Sequence, residues 1–408
     1  MGDSVLFIID KLIIVFIYLN VLTANLTIGG VAIGKVLVIC TLVLYGYYFL
    51  VQRVVLSKRT MMYVLTSASM IITLVAISLL KGNQIEYVMG FVTPIFILFL
   101  IPVFHSLFHE YSVERYLKHF LCAIVLLALT IIGIYVFAIG DRSLGFAINE
   151  FSENYGVAYR SMGLSWRDVW SIRIVAKTAG FFPAGIILSY YYYKEGGKSK
   201  LPLLAFGLIA FAIYLGHTFT IICAAAICLY IVSIKYVKTR YSRLLWAAVS
   251  FVIVLTGVSS YLSKTYDYKE QSIAIKAEQV QNAMDYFERS PLLGKGLGFL
   301  YRDMDQRGTE DTNLEVTYVM ILTSTGLLGF LFYLFIYLYY PLKGILSRGR
   351  SGVMMMLVLS HFSVIIAGSG NPYMLSGGMG LIFVTMIGAL YEVEYRPFVK
   401  GVTTREAL

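Results

Sequence analysis

A chain of 408 residues that is 59% hydrophobic and only 14% charged departs from soluble globular proteins, which carry roughly 25% charged and under 50% apolar residues. Two soluble cores could absorb part of that excess, but not apolar runs of about 20 residues repeated from end to end, the length a bilayer demands of a helix. The net charge of +10 then reads as basic loops facing anionic membrane lipid, with no nucleic acid as partner.

The runs are helices, because unpaired backbone groups cost several kcal/mol each in hydrocarbon and the alternation of a transmembrane barrel is absent. In chain order they fall at 5–23, 27–51, 61–80, 86–104, 117–140, 171–193, 201–216, 218–235, 244–263, 316–341, 352–369 and 372–392. The fold class expected is an all-α polytopic membrane protein of about twelve transmembrane helices, with 1–408 as one membrane domain. The stretch 201–235, with Gly216 and His217 at its middle, reads as two short helices or one long tilted one. Asp3, Asp10 and Lys11 make the N-terminus unlike a cleavable signal. Cys40, Cys122, Cys223 and Cys228 all lie in apolar runs and suggest neither disulfides nor a zinc site.

Charge bias sets the orientation. Arg53, Lys58 and Arg59; Lys194, Lys198 and Lys200; Lys235, Lys238, Arg240 and Arg243; and Lys343, Arg348 and Arg350 fill connections that should be cytoplasmic, as should both termini. Two longer connections, 141–170 and 264–315, then face the periplasm of a bacterial inner membrane. In the second, Ile273, Ala277, Val280, Met284 and Phe287 recur at helical spacing opposite Glu278, Gln279, Asn282 and Asp285, which predicts an amphipathic helix on the membrane surface. Ser290-Pro291 ends it, and Gly294, Gly296 and Gly298 make a tight turn.

Phe287, Ser290-Pro291, Gly294-Lys295-Gly296-Leu297-Gly298, Glu315 to Tyr318 and Gly326-Leu327-Leu328-Gly329 together resemble the bacterial O-antigen ligase and O-antigen repeat-unit polymerase family. About 55 residues match closely; elsewhere only the topology does. The resemblance implies a GT-C-like arrangement of helices and glycosyl transfer from a lipid diphosphate. An acceptor hydroxyl attacks the sugar carbon and the lipid diphosphate leaves, so a positioned base and fixed cations are needed. No cofactor or metal is implied. The substrate would be an undecaprenyl-diphosphate-linked oligosaccharide. A flippase and a chain-length regulator would be partners.

Residue by residue, the resemblance makes Glu315 the base, at the position where ligases carry histidine; the plain alternative is a solvated acid at a helix N-terminus. Lys276 stands where the family has arginine and would meet the diphosphate, or else snorkel to lipid head groups. Arg289 closes the same helix. Arg160-Ser-Met-Gly163 resembles the family's "R-x-x-G", and Arg160, Arg167 and Arg173 offer bidentate phosphate geometry. His217 stands where many members have Ser-Arg, and Tyr318 completes the motif after Glu315; the resemblance would make both substrate or diphosphate contacts. Lone histidines such as His217 and His361 are more often satisfied core residues than catalysts. Asp303-Met-Asp305 is a D-x-D match without the nucleotide-binding domain that such metal sites need. The function implied is repeat-unit polymerisation of a surface polysaccharide such as O-antigen, with an O-antigen ligase and a lipid-linked oligosaccharide flippase or transporter as alternatives.

Overall fold

The computed structural model describes residues 2–23, 26–28, 31–52, 57–140, 159–163, 172–195, 199–216, 218–234, 274–301, 314, 316–347, 351–368 and 378–395, with isolated positions between 143 and 151. Helices dominate: α1 (Gly2–Leu22), α2 (Ile33–Gln52), α3 (Lys58–Leu80), α4 (Ile85–Val92), α5 (Ile101–Glu110), α6 (Val113–Gly140), α7 (Phe182–Glu195), α8 (Leu201–Gly216), α9 (Phe219–Ile234), α10 (274–288), α11 (Thr317–Leu346), α12 (Gly352–Gly368) and α13 (Met379–Tyr395). The expected class is all-α, but two small antiparallel hairpins interrupt the helices. One pairs β1 (Thr27–Ile28) with β2 (Val31–Ala32); the other pairs β3 (Tyr159–Gly163) with β4 (Ile172–Ala176).

This is a multi-pass membrane protein. Among the described residues, six helical segments are long and apolar enough to cross a bilayer: Ser4–Leu22, Ile33–Gln52, Lys58–Leu80, Ile85–Glu110, Val113–Ala138 and Thr317–Leu346. Shorter apolar helices join them at Leu201–Gly216, Thr220–Ile234 and Gly352–Gly368. Large apolar side chains stand outward, Leu50 at 76% and Leu80 at 87% exposure, where a soluble protein would place charge and a lipid-facing surface does not. The expected span 244–263 lies outside the described residues. The expected span 171–193 is not one helix: β4 and a turn through Thr178 precede α7. A hairpin can lie among helices because each strand supplies the other's backbone partners. The stretch 201–235 resolves into two helices, α8 and α9.

Buried polar groups inside the bundle are paired where they tie helices together. Asp10, fully buried on α1, accepts from Arg115 at 2.7 Å and from the Tyr116 hydroxyl at 2.8 Å on α6. His361 shows a second solution. Pro341 inside α11 has no N–H, so the Tyr337 carbonyl one turn earlier lacks its helical donor. The His361 Nε2 lies 2.8 Å from that carbonyl and its Nδ1 lies 3.2 Å from the Gly380 carbonyl, so the ring stands where the missing donor would be and bridges α11 to α13. The bland reading of His361 is the right one: it repairs a helix.

Aromatic packing sets the relative height of the helices. Phe120 on α6 lies 5.1 Å, centroid to centroid, from both Phe181 and Phe383. Phe181 precedes α7 and Phe383 sits near the start of α13, so the β3–β4 hairpin feeds into the same end of the bundle at which α12 finishes and α13 begins.

Candidate functional site

α11 is not continuous. Gly326 adopts φ 66° and ψ −172°, a conformation that L side chains avoid. The break removes two helical bonds, those from the Leu327 and Leu328 N–H groups to the Thr323 and Ser324 carbonyls. All four groups find partners in one loop, residues 290–298. The N–H groups of Lys295 and Gly296 donate to the Thr323 and Ser324 carbonyls at 2.9 and 2.7 Å, and those of Leu327 and Leu328 donate to the Pro291 and Leu292 carbonyls at 2.8 and 3.3 Å. In hydrocarbon such groups could not stay unpaired. The loop is thus a strap laid into the break.

Close approach of two backbones demands glycine on both sides. A Cβ on Gly294 would overlap the Gly326 nitrogen and the Ser324 carbonyl, and one on Gly326 would overlap the Leu292 carbonyl. The tight turn expected from the glycines is present, and its reason is now visible: "P-x-x-G-x-G" and "G-x-x-G" are two halves of one contact. The strap is also tied to the turn after α3. The Asn83 amide donates to the Lys295 and Leu297 carbonyls at 3.1 and 3.0 Å, Ser78 Oγ accepts from the Leu297 N–H at 2.7 Å, and Lys81 donates to Ser290 Oγ at 3.2 Å and to the Gly294 carbonyl. Behind the strap, the Tyr301 hydroxyl meets Ser324 Oγ at 3.1 Å, and burial pushes its phenol up to about 12, so it remains protonated at neutral pH.

The first part of α11, 317–325, is docked on the end of α12. The Thr317 hydroxyl donates to the Gly368 carbonyl at 3.0 Å and the Tyr318 hydroxyl to the Ile365 carbonyl at 2.9 Å. These are end-of-helix carbonyls that lack intrahelical donors. The Tyr318 hydroxyl thus helps to position this segment, and its oxygen can still accept. Glu315 lies outside the described residues, but its flanks do not. Leu314 is buried and its N–H points to Met320 Sδ at 3.3 Å, and Thr317 is buried as above. The chain on both sides of Glu315 is held against protein.

The hairpin brings two other candidates together. Arg160 pairs in register with Val175 and Met162 with Arg173. Residues opposite each other share a face and alternate along a strand, so Arg160 and Arg173 occupy diagonal positions on one face. The other face carries Ile174 and Ala176, both fully buried. Sequence spacing gave no sign of this pairing, because the eight residues 164–171 separate the strands. Arg167, His217, Asp303 and Asp305 lie outside the described residues. Around His217, Thr218 is buried and its hydroxyl donates to the Gly216 carbonyl at 3.1 Å.

Lys276 and Arg289 sit on and just beyond α10. The packed face of that helix differs from the expected one. Ala283 is buried and Tyr286 lies 5.2 Å from Phe299 and 6.1 Å from Tyr301, whereas Ala277 is exposed. The pattern of apolar residues pointed to lipid, but the aromatic strap end supplies a protein surface one helical step away. Lys276 is half-buried on the row that includes Ala283, and Arg289 is exposed.

Residues 204–334 match a family model described as O-antigen ligase. That segment, about a third of the chain, is similar to the O-antigen ligase family. It takes in α8, α9, α10, the strap and the broken half of α11, so the matched region and the region built around Gly326 coincide. No curated protein matches the chain.

Proposed function

We propose that the chain is a membrane glycosyltransferase that joins lipid-diphosphate-linked oligosaccharide repeat units into a surface polysaccharide of O-antigen type, at the periplasmic face of a bacterial inner membrane. The observation that carries this reading is the strap in the break of α11, inside the segment similar to O-antigen ligases, which fixes the short helix that starts just after Glu315. In this reading Glu315 takes the proton from the attacking sugar hydroxyl. The hydroxyl oxygen bonds to the donor's anomeric carbon as the bond to the lipid diphosphate breaks. Arg160 and Arg173, on one hairpin face, carry the charge that gathers on the leaving group, with Lys276, Arg289 and Arg167 as further cations. No step needs a metal. The two loops reach the periplasm if the basic connections stay in the cytoplasm.

The ligase reading is favoured by the description of the matched family; glutamate in place of the ligases' histidine favours the polymerase. Purified protein in lipid nanodiscs separates them. Given only lipid-linked repeat units, the chain is expected to build longer lipid-linked glycans and to release free lipid diphosphate, and Glu315→Gln is expected to slow single turnover about 10²- to 10⁴-fold with donor binding kept. Transfer that requires lipid A core would establish the ligase instead. A Glu315→Gln variant running at the wild-type rate would remove Glu315 from the mechanism.

A further inference from the structure

Two lysines converge on the strap, and among the described residues no acid pairs with either. Lys81, in the turn after α3, donates to Ser290 Oγ and to the Gly294 carbonyl. An ammonium has three donors, so one remains. Lys295 is the next residue of the strap. Its N–H is held by the Thr323 carbonyl, its own carbonyl accepts from Asn83, and its ammonium stands 5.7 Å from the Tyr286 ring centroid. Glu86, Asp285 and Glu288 are exposed on the neighbouring helices α4 and α10, and among the described residues no carboxylate pairs with either lysine. Burial first and the nearby Lys295 second hold the Lys81 ammonium below the usual lysine range. Fastening the strap does not require this charge, since Asn83 makes two of its bonds with a neutral amide. The end of the span Lys58–Leu80 would put the pair at head-group height. α3 ends in lipid-facing Leu80 immediately before Lys81, and the long arm of α11 begins at the residue after Gly326.

We propose that Lys81 and Lys295 form a phosphate-binding site for a second lipid, the phosphorylated lipid that carries the acceptor sugar. The inference rests on the glycosyl-transfer reading, in which two lipid-borne glycans must meet, and it adds where the acceptor's head group is held. The donor's diphosphate is served by the hairpin, which packs on α6 and α8; the lysines belong to the strap, which packs on α3, α4 and α11. Lysine suits this task because it grips phosphate as a flexible point charge, without the fixed fork of arginine.

The test uses the full chain in phosphatidylcholine nanodiscs, with undecaprenyl diphosphate as probe and native mass spectrometry as readout. Wild type is expected to hold two lipids. Lys295→Gln leaves the backbone bonds of the strap in place and is expected to weaken one site about 10- to 150-fold, the loss of one charge-assisted contact; Lys295→Arg is expected to keep it. Arg160→Ala with Arg173→Ala should empty the other site and leave the lysine-dependent one. Lys81→Gln should behave as Lys295→Gln with an added loss of thermal stability. Equal occupancy in wild type and Lys295→Gln overturns the site. So does equal competition by phosphatidylglycerol, which would make it a contact for bulk anionic lipid, or by inorganic pyrophosphate, which would make it a site for a soluble anion. Turnover is measured in the same discs. Two lipid sites without any transfer would sink the enzymatic reading and leave the phosphate site standing, whereas transfer with no lysine-dependent site sinks the site alone.

Discussion

The strap and the hairpin reach the same end of the bundle by opposite means. In the strap, function is backbone geometry: glycines, carbonyls and amides interlock across the break at Gly326, and side chains mostly assist. In the hairpin the backbone is ordinary, an antiparallel ladder, and what matters is that its register sets Arg160 and Arg173 on one face. The difference predicts which substitutions act through folding and which through chemistry. Variants that break the strap's backbone contacts should lower stability, and with it the amount of active protein. Hairpin variants should lower activity alone.

The largest effect is expected at Gly326. Gly326→Ala forces a Cβ into the Leu292 carbonyl at a positive φ. The loss should be at least about 3 kcal/mol, since strain of this kind costs 1–3 kcal/mol before any clash. Loss of folded protein on size-exclusion chromatography in detergent checks it. A stable Gly326→Ala protein with normal activity would erase the distinction between the two regions. Next come Arg160→Ala and Arg173→Ala, each expected to cut single-turnover rate about 10- to 150-fold with the melting temperature unchanged. A drop in melting temperature as large as that of a strap variant would show the hairpin to be structural.

The two regions were also unequally legible in the sequence. Membrane class, most helices and the turn at 290–298 follow from apolar run length and from Ser290-Pro291 and the glycines, because those signals are local. The strap's partner was not visible, since nothing in a run of residues says that Gly294 will touch Gly326 thirty-two positions on. The same holds for the hairpin: 171–193 looks like a continuous apolar span, and only pairing with 159–163 turns its first residues into a strand. Hydrophobic pattern also did not reveal that Tyr286 of α10 packs on Phe299 and Tyr301. The partner of the Tyr318 hydroxyl, the Ile365 carbonyl on α12, is likewise a contact that no local pattern shows.

Smaller effects sharpen the contrast. Asn83→Ala leaves the Lys295 and Leu297 carbonyls without their donor and should cost about 1–3 kcal/mol, read as a lower melting temperature with the rate per folded molecule preserved. Gly46→Ala, in α2 where an added Cβ meets nothing within 4 Å, should shift stability by no more than about 1 kcal/mol and in the favourable direction. If Gly46→Ala is as damaging as Gly326→Ala, glycine in this protein is serving general helix packing and not one particular contact.

The break in α11 also bears on how the protein fits its bilayer. As one straight rod, the 30 residues of Thr317–Leu346 would measure about 45 Å, well beyond a hydrocarbon layer of about 30 Å. Cut at Gly326, the arm from Leu327 onward is about 30 Å long and matches that layer. The remainder, 317–325, is turned aside onto the end of α12. The strap therefore works as a depth stop. It sets the height of the segment that follows Glu315 by the thickness of the membrane, so a thicker or thinner bilayer would tug first on the Gly294–Gly326 contact.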